Sequence, residues 1–172
     1  LAPTASTTAA LALGDALAVA LLDARGFGRE DFARSHPGGA LGRRLLTHVR
    51  DVMRPASEVP QVSESAALSE ALFAMTRGGL GMTVVLADDD TVAGIFTDGD
   101  LRRALERGTD LRSATLGALM TRSPRHIQAD ALAAEAAEIM ERHRISQLLV
   151  LDAGGRLAGA LNTHDLMHAK VI

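Results

Sequence analysis

The chain contains an internal duplication, and this limits the folds open to it more than any other feature of the sequence. GIFTDGDLRRAL at 94–105 aligns with GALNTHDLMHAK at 159–170 when positions are offset by 65. Upstream, Val52-Met53 matches Leu119-Met120 after a slip of two residues. Self-similarity at a fixed period means that one structural unit is present more than once. We therefore predict two copies of a single fold beyond Val49.

Each copy is predicted to be a β-α-β-β-α unit. Short apolar runs bounded by turn residues indicate the strands, which are Val59 to Val62, Met82 to Ala87 and Val92 to Phe96, then His126 to Gln128, Gln147 to Leu151 and Leu157 to Leu161. Ser65 and Asp130 are the expected N-caps of the first helices, and the closing helices are expected to begin near Thr97 and Asn162. Units of roughly 60 residues are marginal alone, so the two should pack sheet to sheet around a shared core, in an α/β (α+β) fold.

Composition excludes several classes of function. The 172 residues are 47% hydrophobic, which is enough for a buried core, and 18 basic against 21 acidic residues give a formal charge of -3. This balance offers no broad cationic field for nucleic acid or for an anionic membrane. The chain has no Cys, Trp or Tyr, which removes thiolate chemistry and aromatic platforms for base stacking. The lack of cysteine fits a cytoplasmic protein.

The first part of the chain differs from the repeats. Residues Ala5 to Ala24 predict a helix that is apolar on nearly every face and ends at Arg25-Gly26. The longest apolar stretch, Ala9 to Leu22, is shorter than the roughly 20 residues of a membrane span and is interrupted by Asp15, so we expect burial against protein instead. The missing partner surface is expected upstream of Leu1, which makes the chain a piece of a longer protein. The predicted divisions are 1–47, 48–110 and 111–172.

The strand-to-helix junctions carry the candidate binding motif. In the first copy the strand from Gly94 ends at Thr97, and Asp100 follows three positions later; Asn162 and Asp165 preserve the arrangement in the second copy. One interpretation is a helix cap, in which the side chains at the first and fourth positions bond each other's backbone amides. The other is a nucleotide site, since a helix start attracts phosphate, an aspartate accepts ribose hydroxyls, and glycine permits close approach of backbone or ligand.

These repeats resemble a tandem pair of CBS domains over residues 49–172. In that family the hydroxyl residue and the aspartate of the G-apolar-apolar-[ST]-x-x-D stretch contact the phosphate and ribose of a nucleotide, which implies such roles for Thr97 and Asp100. Asp165 matches the second motif, but Asn162 replaces its hydroxyl residue, so the first site is favoured. The flanking residues expected to form the base-side wall, or else plain core, are Val62, Met82, Thr83 and Ile127.

A metal site can be drawn near the end of the chain but is not expected. His164 and His168 lie four positions apart with Asp165 beside them, a spacing that places both imidazoles on one face of a helix. No second cluster of ligands accompanies them, so ordinary exposed histidines explain the pattern. The RGGLG stretch at 77–81 resembles a phosphate loop only loosely and is read as a helix-to-strand connection.

A histidine in SHPGGALG, at 35–42, is the one candidate for chemistry. His36 precedes Pro37, which restrains its backbone to extended values. A histidine that hydrogen-bonds across a domain junction would explain this, and so would one that transfers protons near neutral pH. The segment 1–47 closely resembles the end of the sugar isomerase (SIS) domain of arabinose 5-phosphate isomerases, in which a CBS pair follows in the same order. The resemblance implies that His36 belongs to the active site of the full-length enzyme.

The same resemblance implies interconversion of D-arabinose 5-phosphate and D-ribulose 5-phosphate on the path to Kdo and lipopolysaccharide. Such an isomerase needs a base and an acid, and the remaining groups are expected upstream, so the fragment alone should be inactive. No cofactor is required, and the regulatory ligand is expected to be CMP-Kdo or an adenine nucleotide. A homo-oligomer, dimer or tetramer, is expected. The alternatives are a CBS pair that only holds subunits together, or a free-standing adenine-nucleotide sensor.

Overall fold

The structure is a computed structural model that describes residues 3–28, 31, 35, 40–111 and 114–172. It divides into two compact units, Leu1–Leu46 and Thr47–Ile172. The first unit contains helix α1, Thr4–Ala24, and helix α2, Ala40–Leu46. Helix α1 was predicted, and Gly26 follows it with a left-handed φ of 64°. His36, the proposed catalytic residue, lies outside the described residues.

Helix α1 is exposed along its whole length in this chain. No residue of the helix is buried, and Leu13 is 72% exposed. The expected burial is therefore not provided by the described residues. The helix is also long and apolar enough to cross a membrane, a test that core helices of soluble proteins and signal sequences pass as well. The apolar stretch recognised in the sequence, Ala9 to Leu22, is shorter than this helix because it leaves out the first turn and the last two residues.

The second unit contains two four-stranded sheets with helices packed on them. Its strands are β1 Arg54–Pro55, β2 Gln61–Ser63, β3 Met82–Leu86, β4 Val92–Thr97, β5 Thr121–Arg122, β6 His126–Gln128, β7 Gln147–Leu151 and β8 Leu157–Asn162. Its α-helices are α3 Leu68–Gly78, α4 Asp98–Glu106, α5 Leu116–Leu119, α6 Ala133–His143 and α7 Thr163–His168. Short 3₁₀ helices occupy Val49–Asp51 and Ala56–Glu58. The predicted order of strands and helices in both repeats is confirmed.

The two repeats exchange their first, very short strands. One sheet has the order β2-β3-β4-β5 and the other the order β1-β8-β7-β6. Strand β1 of the first repeat pairs antiparallel with β8 of the second, and β5 of the second pairs antiparallel with β4 of the first. Within each repeat the remaining pairs follow one pattern, parallel and then antiparallel. The exchange was not predicted, because strands of two residues leave no periodic pattern in a sequence.

Three apolar clusters hold this unit together. Two of them lie between one sheet and the helices packed on it, and each also includes residues from the exchanged segment of the other repeat. The third lies between the sheets and joins β3 to β7 and β8, with Val59, Leu80, Met82, Val84, Leu149 and Ala160 at its centre. Packing the inner faces of the two sheets together removes the apolar surface of these side chains from water, which stabilises the unit. The expected sheet-to-sheet core is thereby confirmed.

The first helix of each repeat begins later than the sequence suggested. Their N-caps are Ala67 and Leu132, and neither makes a side-chain capping bond. Backbone from other loops takes that part: the amide of Ala133 donates to the carbonyl of Thr47 at 2.8 Å, and Ala67 forms a β-bridge with Thr115. The predicted caps bond elsewhere, since the hydroxyls of Ser63 and Ser65 lie 2.9 Å apart and Asp130 pairs with Arg50. The assignment of Ser65 and Asp130 as caps was wrong.

Candidate functional site

Both strand-to-helix junctions form the reciprocal cap that the motif predicts. At the start of α4, the Thr97 hydroxyl accepts from the amide of Asp100 at 3.2 Å, while Asp100 Oδ2 accepts from the Thr97 amide at 2.9 Å and from its hydroxyl at 2.7 Å. At α7, Asn162 Oδ1 accepts from the amide of Asp165 at 3.0 Å, and Asp165 Oδ2 accepts from the Asn162 amide at 2.9 Å. The capping interpretation is therefore confirmed in both repeats.

The Asp100 carboxylate is fully engaged inside the protein. Its second oxygen, Oδ1, accepts from Arg103 Nη2 at 2.5 Å and from the Thr121 hydroxyl at 2.8 Å. Only 4% of the side chain is exposed. With the two bonds to Thr97, both oxygens carry two hydrogen bonds each, which is the capacity of a carboxylate. A ribose hydroxyl can reach Asp100 only after one of these donors has left.

The Asp165 carboxylate is held by an arginine from the other repeat. Arg54 Nη2 donates to Asp165 Oδ1 at 3.2 Å, and Arg54 Nη1 donates to the carbonyl of Gly78 at 3.1 Å. Arg54 belongs to the exchanged strand β1, and Thr121 stands at the equivalent position of β5. Thr121 pairs with Ile95 in the register in which Arg54 pairs with Ala160, 65 positions later. The exchanged strands thus bring a different donor to each aspartate.

The two glycines of the motif are explained by backbone contact. A Cβ built on Gly94 would lie 2.6 Å from the carbonyl oxygen of Thr121, and one on Gly159 would lie 2.4 Å from that of Arg54. Any side chain at either position would collide with an exchanged strand. Of the two possibilities that the sequence left open, the structure shows close approach by backbone.

A cleft of about 440 Å³ opens at the start of α4, between the two repeats. It is lined from the first repeat by Gly81, Ile95, Thr97, Asp98, Gly99 and Arg103, and from the second by Thr121, Ser123, Pro124, Arg125, Arg144, Ile145, Ser146 and Gln147. We call it the first cleft. Its volume lies in the range of small-molecule sites, and it combines aliphatic with polar groups, as such sites do.

The first cleft carries an excess of positive charge. Arg103, Arg125 and Arg144 line it, and Asp98 is the acidic residue that lines it with them. Arg103 is paired with Asp100, whereas Arg125 and Arg144 form no ion pair within the described part of the chain. Guanidinium groups of this kind bind phosphate and carboxylate through paired N–H donors.

A second cleft, of about 620 Å³, lies beside Asp165 and has the opposite character. Its lining residues are Asp51, Val52, Arg54, Glu58, His164, Asp165, His168 and Ala169. The one arginine among them is already bonded to a carboxylate and a carbonyl. His164 and His168 both line this cleft, but no group of three or more potential metal ligands occurs among the described residues. Electrostatics therefore disfavour an anion here.

The contrast between the clefts follows from three positions of the repeat. Offset by 65, Arg103 and Arg144 correspond to His168 and Gly79. Arg125 corresponds to Pro60, since their carbonyls accept the amides of Leu149 and Val84, which are themselves 65 apart. At none of the three equivalent positions does the other repeat have an arginine or a lysine. This comparison of the two repeats was possible from the sequence, and it is the signal that the motif search missed.

The four residues expected at the base-side wall lie in the core instead. Val62 belongs to the apolar cluster of the first repeat, Ile127 to that of the second, and Met82 to the cluster between the sheets. Thr83 is completely buried and is paired in register with Phe96. None of the four lines either cleft. The apolar wall of the first cleft is made by Ile95, Pro124 and Ile145.

Comparison with known proteins agrees with this architecture. The CBS domain model matches residues 49–107 and 116–172. Curated arabinose 5-phosphate isomerases named KdsD are 59% identical in Pseudomonas aeruginosa and 51% identical in Escherichia coli K12 over all 172 residues. The chain spans about half the length of these relatives, 53% and 52%.

Solved structures with this fold include the CBSX2 protein in complex with AMP, with a TM-score of 0.63 and 26% identity over 72% of this chain and 95% of that one. The CBS-domain protein ATU1752 from Agrobacterium tumefaciens gives a TM-score of 0.63 at 26% identity, over 72% and 93% of the two chains. The duplicated fold with exchanged strands and the match of both repeats show that this chain belongs to the CBS domain family.

Proposed function

We propose that the first cleft binds a nucleotide and that the second cleft does not. The observation that carries this proposal is the presence of three arginines in the first cleft, whose counterparts at the 65-residue offset are histidine, proline and glycine. CBSX2, which shares the fold, was solved with AMP. A phosphorylated ligand would find arginines without an ion pair beside a helix N-terminus in the first cleft, whereas the arginine of the second cleft, Arg54, is already bonded to Asp165 and Gly78.

The phosphate is proposed to lie against the Thr97 hydroxyl and the backbone of Gly99, at the positive end of α4. The ribose hydroxyls are proposed to bond Asp100 Oδ1 in place of Arg103. Because Arg103 is half-exposed and makes one bond to that oxygen, it can turn toward the phosphate at the cost of one ion pair. The base would lie between aliphatic side chains, since Ile95 and Ile145 line the cleft.

We further propose that the chain is the regulatory part of an arabinose 5-phosphate isomerase. Relatives that match the whole chain at 51–59% identity carry that name. In this proposal His36 takes part in the isomerisation of D-arabinose 5-phosphate and D-ribulose 5-phosphate, together with groups of a sugar isomerase (SIS) domain. A ligand in the CBS pair can shift that activity only if it binds one arrangement of the domains more tightly than another.

CMP-Kdo or an adenine nucleotide is the proposed ligand. The first would report the end of the pathway and the second the energy state of the cell. The aliphatic base site selects neither cytosine nor adenine by itself. That the protein works in the cytoplasm, needs no cofactor and assembles as a homodimer or homotetramer stays a prediction.

Titration calorimetry tests nucleotide binding directly. The chain is titrated with CMP-Kdo, CMP, AMP and ATP, and we expect at least one to bind with a stoichiometry of one per chain. Arg125→Ala should weaken that binding about tenfold or more, because it removes a charge-assisted contact. Arg142→Ala is the matched control, since Arg142 lies on α6 outside the cleft and pairs weakly with Glu138 at 4.0 Å. No heat with any of the four nucleotides would contradict the proposal.

A second function, a scaffold without a ligand, is favoured by one observation: both aspartates of the motif already hold an arginine. Light scattering separates the two functions. A scaffold would keep the same oligomer with and without nucleotide and would show no calorimetric signal.

The isomerase proposal is tested in the protein translated from the complete reading frame, where His36→Ala should abolish formation of D-ribulose 5-phosphate while the oligomer is unchanged.

A further inference from the structure

We infer that Arg144 is a specificity residue of the first cleft and that the cleft selects a nucleotide with two separate anionic groups over a nucleoside monophosphate. The second group is a further phosphate or a sugar carboxylate. This inference rests on the proposed nucleotide site and names the class of ligand that it takes. Three observations support it. Arg144 has a left-handed backbone conformation, its side chain has no ion-pair partner among the described residues, and it lines the cleft from the second repeat.

Arg144 has a backbone conformation that favours glycine. It ends helix α6 in the left-handed region, with φ 52° and ψ 46°. At the equivalent end of α3 the first repeat has Gly79, with φ 60° and ψ 21°. A side chain with a Cβ is strained there, whereas glycine is not. Both repeats therefore end this helix with the same left-handed turn. Only the second repeat has a strained, non-glycine residue there.

The backbone of Arg144 gives no reason for the arginine. Its amide donates to the carbonyl of Glu141 at 3.2 Å, and the next amide, of Ile145, donates to that of Met140 at 3.0 Å. Glycine would make the same bonds and would avoid the strain. Strain of this kind persists where the surrounding structure enforces it, and such residues cluster at binding sites.

The side chain of Arg144 has no structural charge partner. It lines the first cleft and forms no ion pair with any residue that the structure describes. A guanidinium in this position presents several N–H donors that an anionic group can accept. The function of the side chain therefore lies in the cleft.

Ser123 adds a second strained position to the same cleft. Among the described residues, Asp90, Ser123, Arg144 and Lys170 are the non-glycine residues with positive φ. Ser123, with φ 51°, and Arg144 both line the first cleft. Ser123 also precedes Pro124, which restricts its backbone further. Strain is thus concentrated where the second repeat faces the ligand.

The cations of the cleft come from opposite sides. Arg103 enters with Thr97 and Gly99 from α4 of the first repeat, where the first phosphate is proposed to bind. Arg144 enters from the second repeat, with Ile145 and Ser146 beside it. One phosphate held at the start of α4 is proposed to use the groups of the first repeat together with Arg125, which leaves Arg144 for another anionic group. A nucleoside diphosphate or a nucleotide joined to a sugar acid supplies it.

Paired titrations test this inference. The whole chain and its Arg144→Gly variant are titrated with AMP and ADP, with CMP and CDP, and with CMP-Kdo. We expect wild type to bind ADP or CDP, or CMP-Kdo, about tenfold more tightly than the matching monophosphate, because one more charge-assisted contact forms. Arg144→Gly should bring that ratio close to one, because the second anionic group then loses its charge-assisted contact. CDP and CMP-Kdo distinguish a phosphate from a carboxylate as the second group.

The outcomes separate this inference from the proposed function. If no nucleotide binds wild type, the nucleotide site itself is wrong. If nucleotides bind but affinity is independent of a second anionic group, or if Arg144→Gly keeps the wild-type ratio, nucleotide binding stands and the role of Arg144 is wrong. Arg144→Lys should give an intermediate ratio, since it keeps the charge without the fork of donors. Because the glycine variant relieves backbone strain, its thermal melt should show a folded protein.

Discussion

Arg54 of the first repeat donates a hydrogen bond to Asp165 of the second over 3.2 Å, while Thr121, at the equivalent position of the other exchanged strand, donates to Asp100 over 2.8 Å. The two contacts show how one duplicated architecture has diverged. An arginine at the second cleft neutralises the aspartate and takes up part of the space near it. The threonine at the first cleft is short and uncharged, so the positive charge of that cleft comes from the arginines that line it.

Arg54→Ala should destabilise the folded chain. The side chains of Arg54 and Asp165 are 27% and 15% exposed, so the change leaves a largely buried carboxylate without its cation and the Gly78 carbonyl without its donor. Since these groups are only partly desolvated, we expect a loss of about 1–3 kcal/mol in the free energy of unfolding. Urea denaturation followed by circular dichroism measures it.

The control for that loss is Arg50→Ala. Arg50 also pairs with an aspartate of the other repeat, Asp130, but the two side chains are exposed. An exposed pair contributes about 0–1 kcal/mol. Equal losses for Arg50→Ala and Arg54→Ala would show that the Arg54 contact does not hold the repeats together.

Gly159→Ala should destabilise the fold because it forces the exchanged strand β1 away from β8. The new methyl group would lie 2.4 Å from the carbonyl oxygen of Arg54, which is backbone and cannot turn aside. We expect a loss of about 1–3 kcal/mol, the range for overpacking, and a similar loss for Gly94→Ala. Gly154→Ala, whose Cβ would meet the exposed carboxylate of Asp152 at 3.3 Å, is the control. Wild-type stability of Gly159→Ala would refute this account of the glycine.

Thr83→Val should stabilise the chain. The Thr83 hydroxyl is completely buried and has no hydrogen-bond partner among the described residues. Valine has nearly the same shape and removes an unsatisfied polar group, so we expect a gain of about 1 kcal/mol in the free energy of unfolding. The second repeat already has an apolar residue, Leu148, at this position. Thermal or urea unfolding measures the change.

Thr91→Val is the matched control for that substitution. The hydroxyl of Thr91 is exposed and donates to Asp89 at 2.6 Å. Its removal should therefore be neutral or slightly destabilising, and it should raise the pKa of Asp89, which this hydrogen bond lowers. A loss of stability in Thr83→Val would mean that the buried hydroxyl is satisfied after all.

The sequence predicted the parts of this fold that rest on repetition and periodicity. The strands that begin at Met82 and Gln147 and the helix that begins after Asn162 lie where the duplicated pattern put them. The exchanged strands escaped notice because two residues carry no period. The caps at Ser65 and Asp130 were wrong because backbone from distant loops satisfies those helices, and such contacts are tertiary.

The candidate site was only half readable from the motif. Thr97 and Asp100 were found because their spacing repeats, but Arg125 and Arg144 reach the cleft from loops of the other repeat. Residues that differ between the copies do not appear in a search for what the copies share. The arginine at the turn where the first repeat has Gly79 was the visible signal.

The clefts differ in two respects, the hydroxyl of the motif and the number of arginines. From the motif alone, the loss of the hydroxyl at Asn162 would explain why the second cleft is weaker. In the structure, Asn162 caps α7 as Thr97 caps α4, and the larger difference is the missing arginines. Asn162→Thr should therefore leave the calorimetric stoichiometry at one nucleotide per chain, because a hydroxyl alone does not offset the carboxylates of Asp51 and Glu58 in the second cleft. A stoichiometry of two for Asn162→Thr would show instead that the hydroxyl, and not the charge of the cleft, decides where a nucleotide binds.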